Sequence, residues 1–216
     1  MTRMRLVGSV LSLTLLAASP AAAQLCTGNP SLAYSPYQVS IAASFNEGAR
    51  SVDLGAAAGG QTIFGGAGLT IVNFTDIDVK TAGVFGYVGA ELAADRDSKI
   101  MICPIARLTV LAGPDIGPVD SSTTGLEGGG AIGLTIYDVG DIQVVPFFGL
   151  AVTYTRLRSE FAGVTTTVSD TGGRADLGVG FMFNRTAGIT PSISIPFETG
   201  NSDTTFTIRF SYNFGR

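Results

Sequence analysis

The 216-residue chain has no histidine, no tryptophan and only two cysteines, and charged residues make up 14% of it. Without histidine, Ser-His and Cys-His nucleophile systems and imidazole-based zinc sites are excluded. Long apolar runs are missing too. After residue 23 no stretch of about 18 residues is continuously apolar, so no transmembrane helix follows. A chain that is 45% hydrophobic without such a helix either builds a large soluble core or sets its apolar residues on alternate strand positions facing lipid.

What is present begins with a three-zone N-terminus: Arg3 and Arg5, an apolar stretch from Leu6 to Ala18, then Pro20 and Ala21-Ala22-Ala23 before Gln24. The apolar stretch is shorter than the roughly 20 residues of a membrane-spanning helix and runs into a small-residue cleavage site. Residues 1–23 therefore read as a secretory signal peptide outside the fold, and Leu25 before Cys26 argues against lipid attachment. Export implies an oxidising compartment, where Cys26 and Cys103 can form one disulfide; two unrelated buried thiols are the alternative. Removing the signal leaves 11 basic against 17 acidic residues, a net charge of −6, which makes nucleic acid an improbable partner.

Period-two alternation dominates the rest. In 205–215, Phe206, Ile208, Phe210, Tyr212 and Phe214 alternate with Thr207, Arg209, Ser211 and Asn213. Only a strand has that period. The pattern predicts ten strands, at 37–45, 50–58, 61–73, 81–93, 100–112, 124–138, 142–158, 168–184, 187–197 and 203–214. Eight is the competing count, because Gly59-Gly60 reads either as a hairpin turn or as a bulge in one long strand. Short turns at 59–60, 94–98, 138–141 and 184–186 alternate with longer connections at 113–123 and 159–167, and an even strand number puts both termini on the short-turn side.

A soluble sandwich or lipocalin-like barrel also alternates, but its outer face is rich in Lys and Glu. Here the face opposite the apolar one is mostly Gly, Ala, Ser and Thr with single charges: Asp53, Glu91, Arg107, Glu127, Asp176 and Arg209, and Arg174 nearer the loops. Small polar residues suit the inside of a narrow barrel, and mixed charges there can pair with one another as a structural network. Aromatic residues gather near strand ends, with Phe181, Phe183, Tyr212 and Phe214 on one side and Phe45, Phe74, Tyr154 and Phe197 on the other, as interfacial girdles would. The reading is an all-β, closed antiparallel up-and-down transmembrane barrel of about ten strands over residues 37–216, preceded by a periplasmic segment at 24–36.

On the signal peptide, the alternation and the C-terminal strand Phe206-Thr-Ile-Arg-Phe-Ser-Tyr-Asn-Phe214, the mature chain resembles the small outer-membrane barrels of the OmpA and OmpX type. The resemblance implies insertion in outer-membrane lipid and a terminal strand read by the barrel-assembly machinery through Phe206, Phe210, Tyr212 and Phe214. Gly215-Arg216 after the last aromatic departs from that pattern, and no peptidoglycan-binding domain is recognised after the barrel. Barrel enzymes of the omptin, phospholipase A and lipid A acyl-transfer types use a histidine, which this chain lacks.

Other chemistry is weakly signalled. Asp76 with Asp78 and Asp115 with Asp120 lack calcium-loop spacing, and Gly65-Gly66-Ala67-Gly68 and Gly128-Gly129-Gly130 lack the Lys-Ser/Thr of a phosphate loop. No cofactor is expected. Three functions remain: a non-enzymatic membrane barrel with an envelope or surface-contact role through its outer loops, with no ligand specified; a narrow channel for small solutes; and a soluble periplasmic binding barrel.

Overall fold

The computed structural model describes residues 27–30, 32, 35–60, 62–75, 79–93, 99–113, 119–161, 163–197 and 203–215. The proposed signal peptide and Cys26 lie outside them. Among the described residues twelve strands are formed: β1 (Tyr37–Phe45), β2 (Ala49–Gly59), β3 (Ile63–Phe74), β4 (Val79–Ala90), β5 (Leu92–Ala93), β6 (Ile100–Ala112), β7 (Val119–Leu134), β8 (Tyr137–Val139), β9 (Ile142–Phe161), β10 (Val164–Phe183), β11 (Ala187–Pro196) and β12 (Thr205–Phe214).

Two of these are continuations. β5 keeps the register of β4 on β6, since Gly89 faces Ile105 and Leu92 faces Ile102. β8 follows β7 through a bulge: Gly133 faces Phe147 and Tyr137 faces Val144, so three residues oppose two and the inward-outward phase shifts by one. Ten barrel strands result, each antiparallel to its neighbours, with β12 on β1 and β9 on β10 closing the circle. Gly59 ends β2 and Gly60 opens the turn to β3, which settles ten strands over eight.

The stagger follows from the registers. In one direction Ile41 faces Leu54, then Leu69, Val84, Val110, Thr124, Arg156 and Ser169 on β10. In the other it faces Phe210, then Ile189 and Phe181, also on β10. The two paths end 12 residues apart, between positions 169 and 181. Such a shear forces the strands to tilt by roughly 35–45° from the barrel axis.

Alternation fixes the faces. On β3, Leu69 is 58% exposed and its neighbour Thr70 only 5%. The same holds around the circle: Val39, Ile41, Val84, Val88, Leu108, Leu126, Leu150, Leu177 and Ile193 point out, and the polar and small residues between them point in. Of the expected girdle residues, Tyr154, Phe181, Phe183, Phe197, Tyr212 and Phe214 are exposed on the outside, whereas Phe45 also lines the lumen and Phe74, on the inward phase of β3, is half-buried; Tyr37 and Phe214 are in ring contact at 5.9 Å across the β1–β12 seam. A water-filled exterior would leave this surface unsatisfied, so the soluble-barrel expectation is overturned by an apolar outer face.

The turns obey local backbone chemistry. Asn184 and Arg185 both have positive φ, and Thr186 N–H donates to the Phe183 carbonyl at 3.1 Å, the mirror-image turn that suits right-twisted hairpins. The expected long connection at 159–167 is not a loop. β9 and β10 run on to Phe161 and Val164, paired throughout, and β7 follows β9 up to Val119 opposite Phe161. Neither outer neighbour keeps pace: β6 pairing stops at Ala112 opposite Ser122, and β11 pairing at Pro196 opposite Arg174. A three-stranded flap therefore stands beyond the rim on the side away from the termini.

Candidate functional site

The barrel interior is divided along its length. At the short-turn end, Phe64, Met101, Cys103, Val145 and Met182 point inward and pack with Leu32 and Ala57 into a small apolar core, flanked by Tyr87, Ala93 and Ile105. Thr27–Pro30 thread into this end, beyond a segment simply lying before the first strand. The Pro30 carbonyl accepts from Gln38 Nε2 and Asn213 Nδ2, both at 3.3 Å, and Gln38 Nε2 also donates to Asn213 Oδ1 at 2.7 Å. The Gly28 carbonyl accepts from Thr190 Oγ1 at 2.5 Å. The fit around Gly28 needs glycine twice over. Its φ is +71°, and a Cβ there would lie 2.9 Å from Phe147 and 3.1 Å from the Gly180 backbone.

Above this seal lies a cup of about 680 Å³ lined by polar, charged and apolar side chains. The space exists because many inward positions are small: Ser40, Ala42, Ser44, Gly129, Ala131, Gly149 and Ala151 line it. These residues are too short to fill the lumen of a barrel of this size.

One wall is aromatic. Phe85 and Tyr87 on β4 lean over glycines of β3, where a Cβ on Gly68 would meet Phe85 Cζ at 2.5 Å and one on Gly66 would meet Tyr87 Cζ at 2.7 Å. Arg107 lies over the Phe85 ring, 4.4 Å from its centroid, and its Nη2 reaches Asp53 Oδ2 at 3.0 Å. The second cluster joins three strands. Arg174 bonds Glu127 at 2.9 Å and Asp176 at 3.2 Å, and Ser194 donates to Asp176.

Of the six charges assigned to the lumen, five line this cup: Asp53, Arg107, Glu127, Asp176 and Arg209. Glu91 is buried at the short-turn end, outside the lining. Arg174, placed nearer the loops by sequence, turns out to be the centre of one cluster. The aromatic wall and the clasp formed by Gln38, Asn213 and Thr190 were not foreseen. Continuous apolar runs such as Ile100–Ile105 and Val144–Phe148 were the available signal for the inner core, because apolar residues occur there on both faces. Cys103 is fully buried and disulfide-bonded. Asp76, Asp78 and Asp115 lie outside the described residues, and among those described no group of three His, Cys, Asp or Glu could hold a metal ion.

Apolar outside, polar cup inside and a closed ten-strand circuit together define a membrane-spanning antiparallel β-barrel of small size. Among solved structures the chain is similar to the N-terminal β-barrel domain of Pseudomonas aeruginosa OprF, at 8% identity over 83% of this chain and 98% of that one, TM-score 0.41. It is similar also to Neisserial surface protein A, at 10% identity over 82% and 97%, TM-score 0.40. A third is Ail, the attachment invasion locus protein of Yersinia pestis, at 9% over 83% and 98%, TM-score 0.33. No family model and no curated protein matches the chain.

Proposed function

We propose that this protein is an outer-membrane barrel that works without catalysis, offering its cup and flap to the exterior as a contact surface. The observation that carries this reading is the sealed short-turn end, where Thr27–Pro30 and the apolar core around Leu32, Val145 and Met182 close the lumen. A lumen closed at one end is a receptacle, and loops or strands above a rigid scaffold are where surface contacts usually sit. The termini face the periplasm, the aromatic stripe of Phe206, Phe210, Tyr212 and Phe214 faces lipid and serves the assembly machinery, and a Cys26–Cys103 disulfide tethers the N-terminal segment to the core.

The test is made on protein exported with its own leader and extracted from the outer-membrane fraction. In detergent gels the band should shift on boiling, and in planar bilayers the folded protein should pass no steady current. A narrow channel is the second reading, supported by the charged walls of the cup. A steady current altered by Arg107→Ala would establish the channel and refute the closed receptacle.

A further inference from the structure

The cup is lined by three arginines and four carboxylates, a net charge of −1, but these are not evenly paired. Arg107 is held by Asp53, and Arg174 by Glu127 and Asp176. Arg209, on β12 between Ala42 of β1 and Thr190 of β11, makes no ion pair or hydrogen bond among the described residues. It is half-buried and lines the cup. The remaining charged group of the lining, Asp203, precedes β12 at the flap-side rim, six positions before Arg209 in sequence.

A guanidinium in a narrow lumen, beside an Asp53 that Arg107 already holds, has N–H donors to offer an anion. Its surroundings are specific in kind. Ser40, Thr70 and Ser192 supply hydroxyls, and Phe64 and Tyr87 supply an apolar wall on which the C–H face of a ring or chain can lie. The cup's volume falls within the roughly 300–1,000 Å³ of pockets that take small ligands.

We infer that the cup binds a small polyhydroxylated carboxylate, of the size of a sugar acid, with its carboxylate on Arg209. The carboxylate accepts from the guanidinium, the hydroxyl-bearing carbons face the Ser and Thr side chains, and the aromatic wall excludes water from the remaining side. This rests on the cup being open outward and sealed at its base, and it can fail while that reading stands.

The experiment uses the full exported protein in detergent, with heat-shifted mobility confirming the closed barrel in every sample. Titration with gluconate, glucose and inorganic phosphate is followed by the side-chain Nε–H signals of 15N-labelled arginine and by calorimetry at low salt. Gluconate should bind and move the Arg209 signal, and glucose should not bind measurably. Arg209→Gln should weaken gluconate at least tenfold, Arg209→Lys less, and Arg156→Gln on the flap not at all. Gluconate binding that leaves the Arg209 signal and the Arg209→Gln titration unchanged would overturn the assignment. Phosphate binding as tightly as gluconate would reduce the site to a general anion well and overturn the sugar-acid class. A closed barrel that binds no gluconate would refute the inference alone, whereas loss of the heat shift in the wild-type protein would refute the barrel reading beneath it.

Discussion

Inside the barrel, single side chains are placed by what their neighbours leave empty. Phe85 can lean across the lumen wall because Gly68 gives it no Cβ to meet, and a Cβ at that position would also run into the Leu54 carbonyl. Gly68→Ala should therefore destabilise the barrel by about 1–3 kcal/mol, the usual cost of overpacking, read as a lower denaturant midpoint. Gly128, whose Cβ would meet nothing, should accept alanine without measurable loss. Arg107 is equally dependent on context. Glu127 is its cross-strand neighbour, yet the guanidinium turns to Asp53 because Phe85 supports it there and Arg174 already holds Glu127. Asp53→Asn should cost roughly 1–2 kcal/mol, less than a dry interior pair, since both partners reach the water of the cup. Alternation in the sequence places these residues on the inner face. It carries no sign of which carboxylate takes which guanidinium, because that choice is made across the lumen between strands far apart in the chain.

At the scale of elements, the rim of the membrane is written as a change of phase. Along β9 the apolar residues Phe148, Leu150, Val152 and Tyr154 point outward, and beyond them Arg156, Arg158 and Glu160 take the outward positions while Leu157 faces the lumen side. On β10 the switch recurs, with Val164 and Val168 inward and Leu177 and Phe181 outward. Below the rim, lipid selects the outward face. Above it, water does. The expectation of a loop at 159–167 failed for this reason: the periodicity there breaks phase with the barrel while the chain remains extended, and Thr165, Thr166, Thr167 and Val168 are strong strand formers. The flap residues on β10, Val164 to Thr171, are exposed on both faces. Deleting 157–168 and rejoining the strands with a short turn should leave the heat-shift temperature and denaturant midpoint within about 0.5 kcal/mol of wild type.

For the whole molecule, ten strands and their order were legible because each barrel strand hydrogen-bonds the next in sequence and every outward face meets the same solvent. The apolar base was harder to read, since it requires knowing which end of each strand lies deep and that the chain folds back to fill it. The clasp at that base joins the segment before the first strand to both sides of the closing seam: the Pro30 carbonyl takes one hydrogen bond from Gln38 on β1 and one from Asn213 on β12. Neither donor has its place until the first and last strands have zipped together. The seam that closes the wall therefore also holds the lid of its own base, and a break between the first and last strands takes the seal with it.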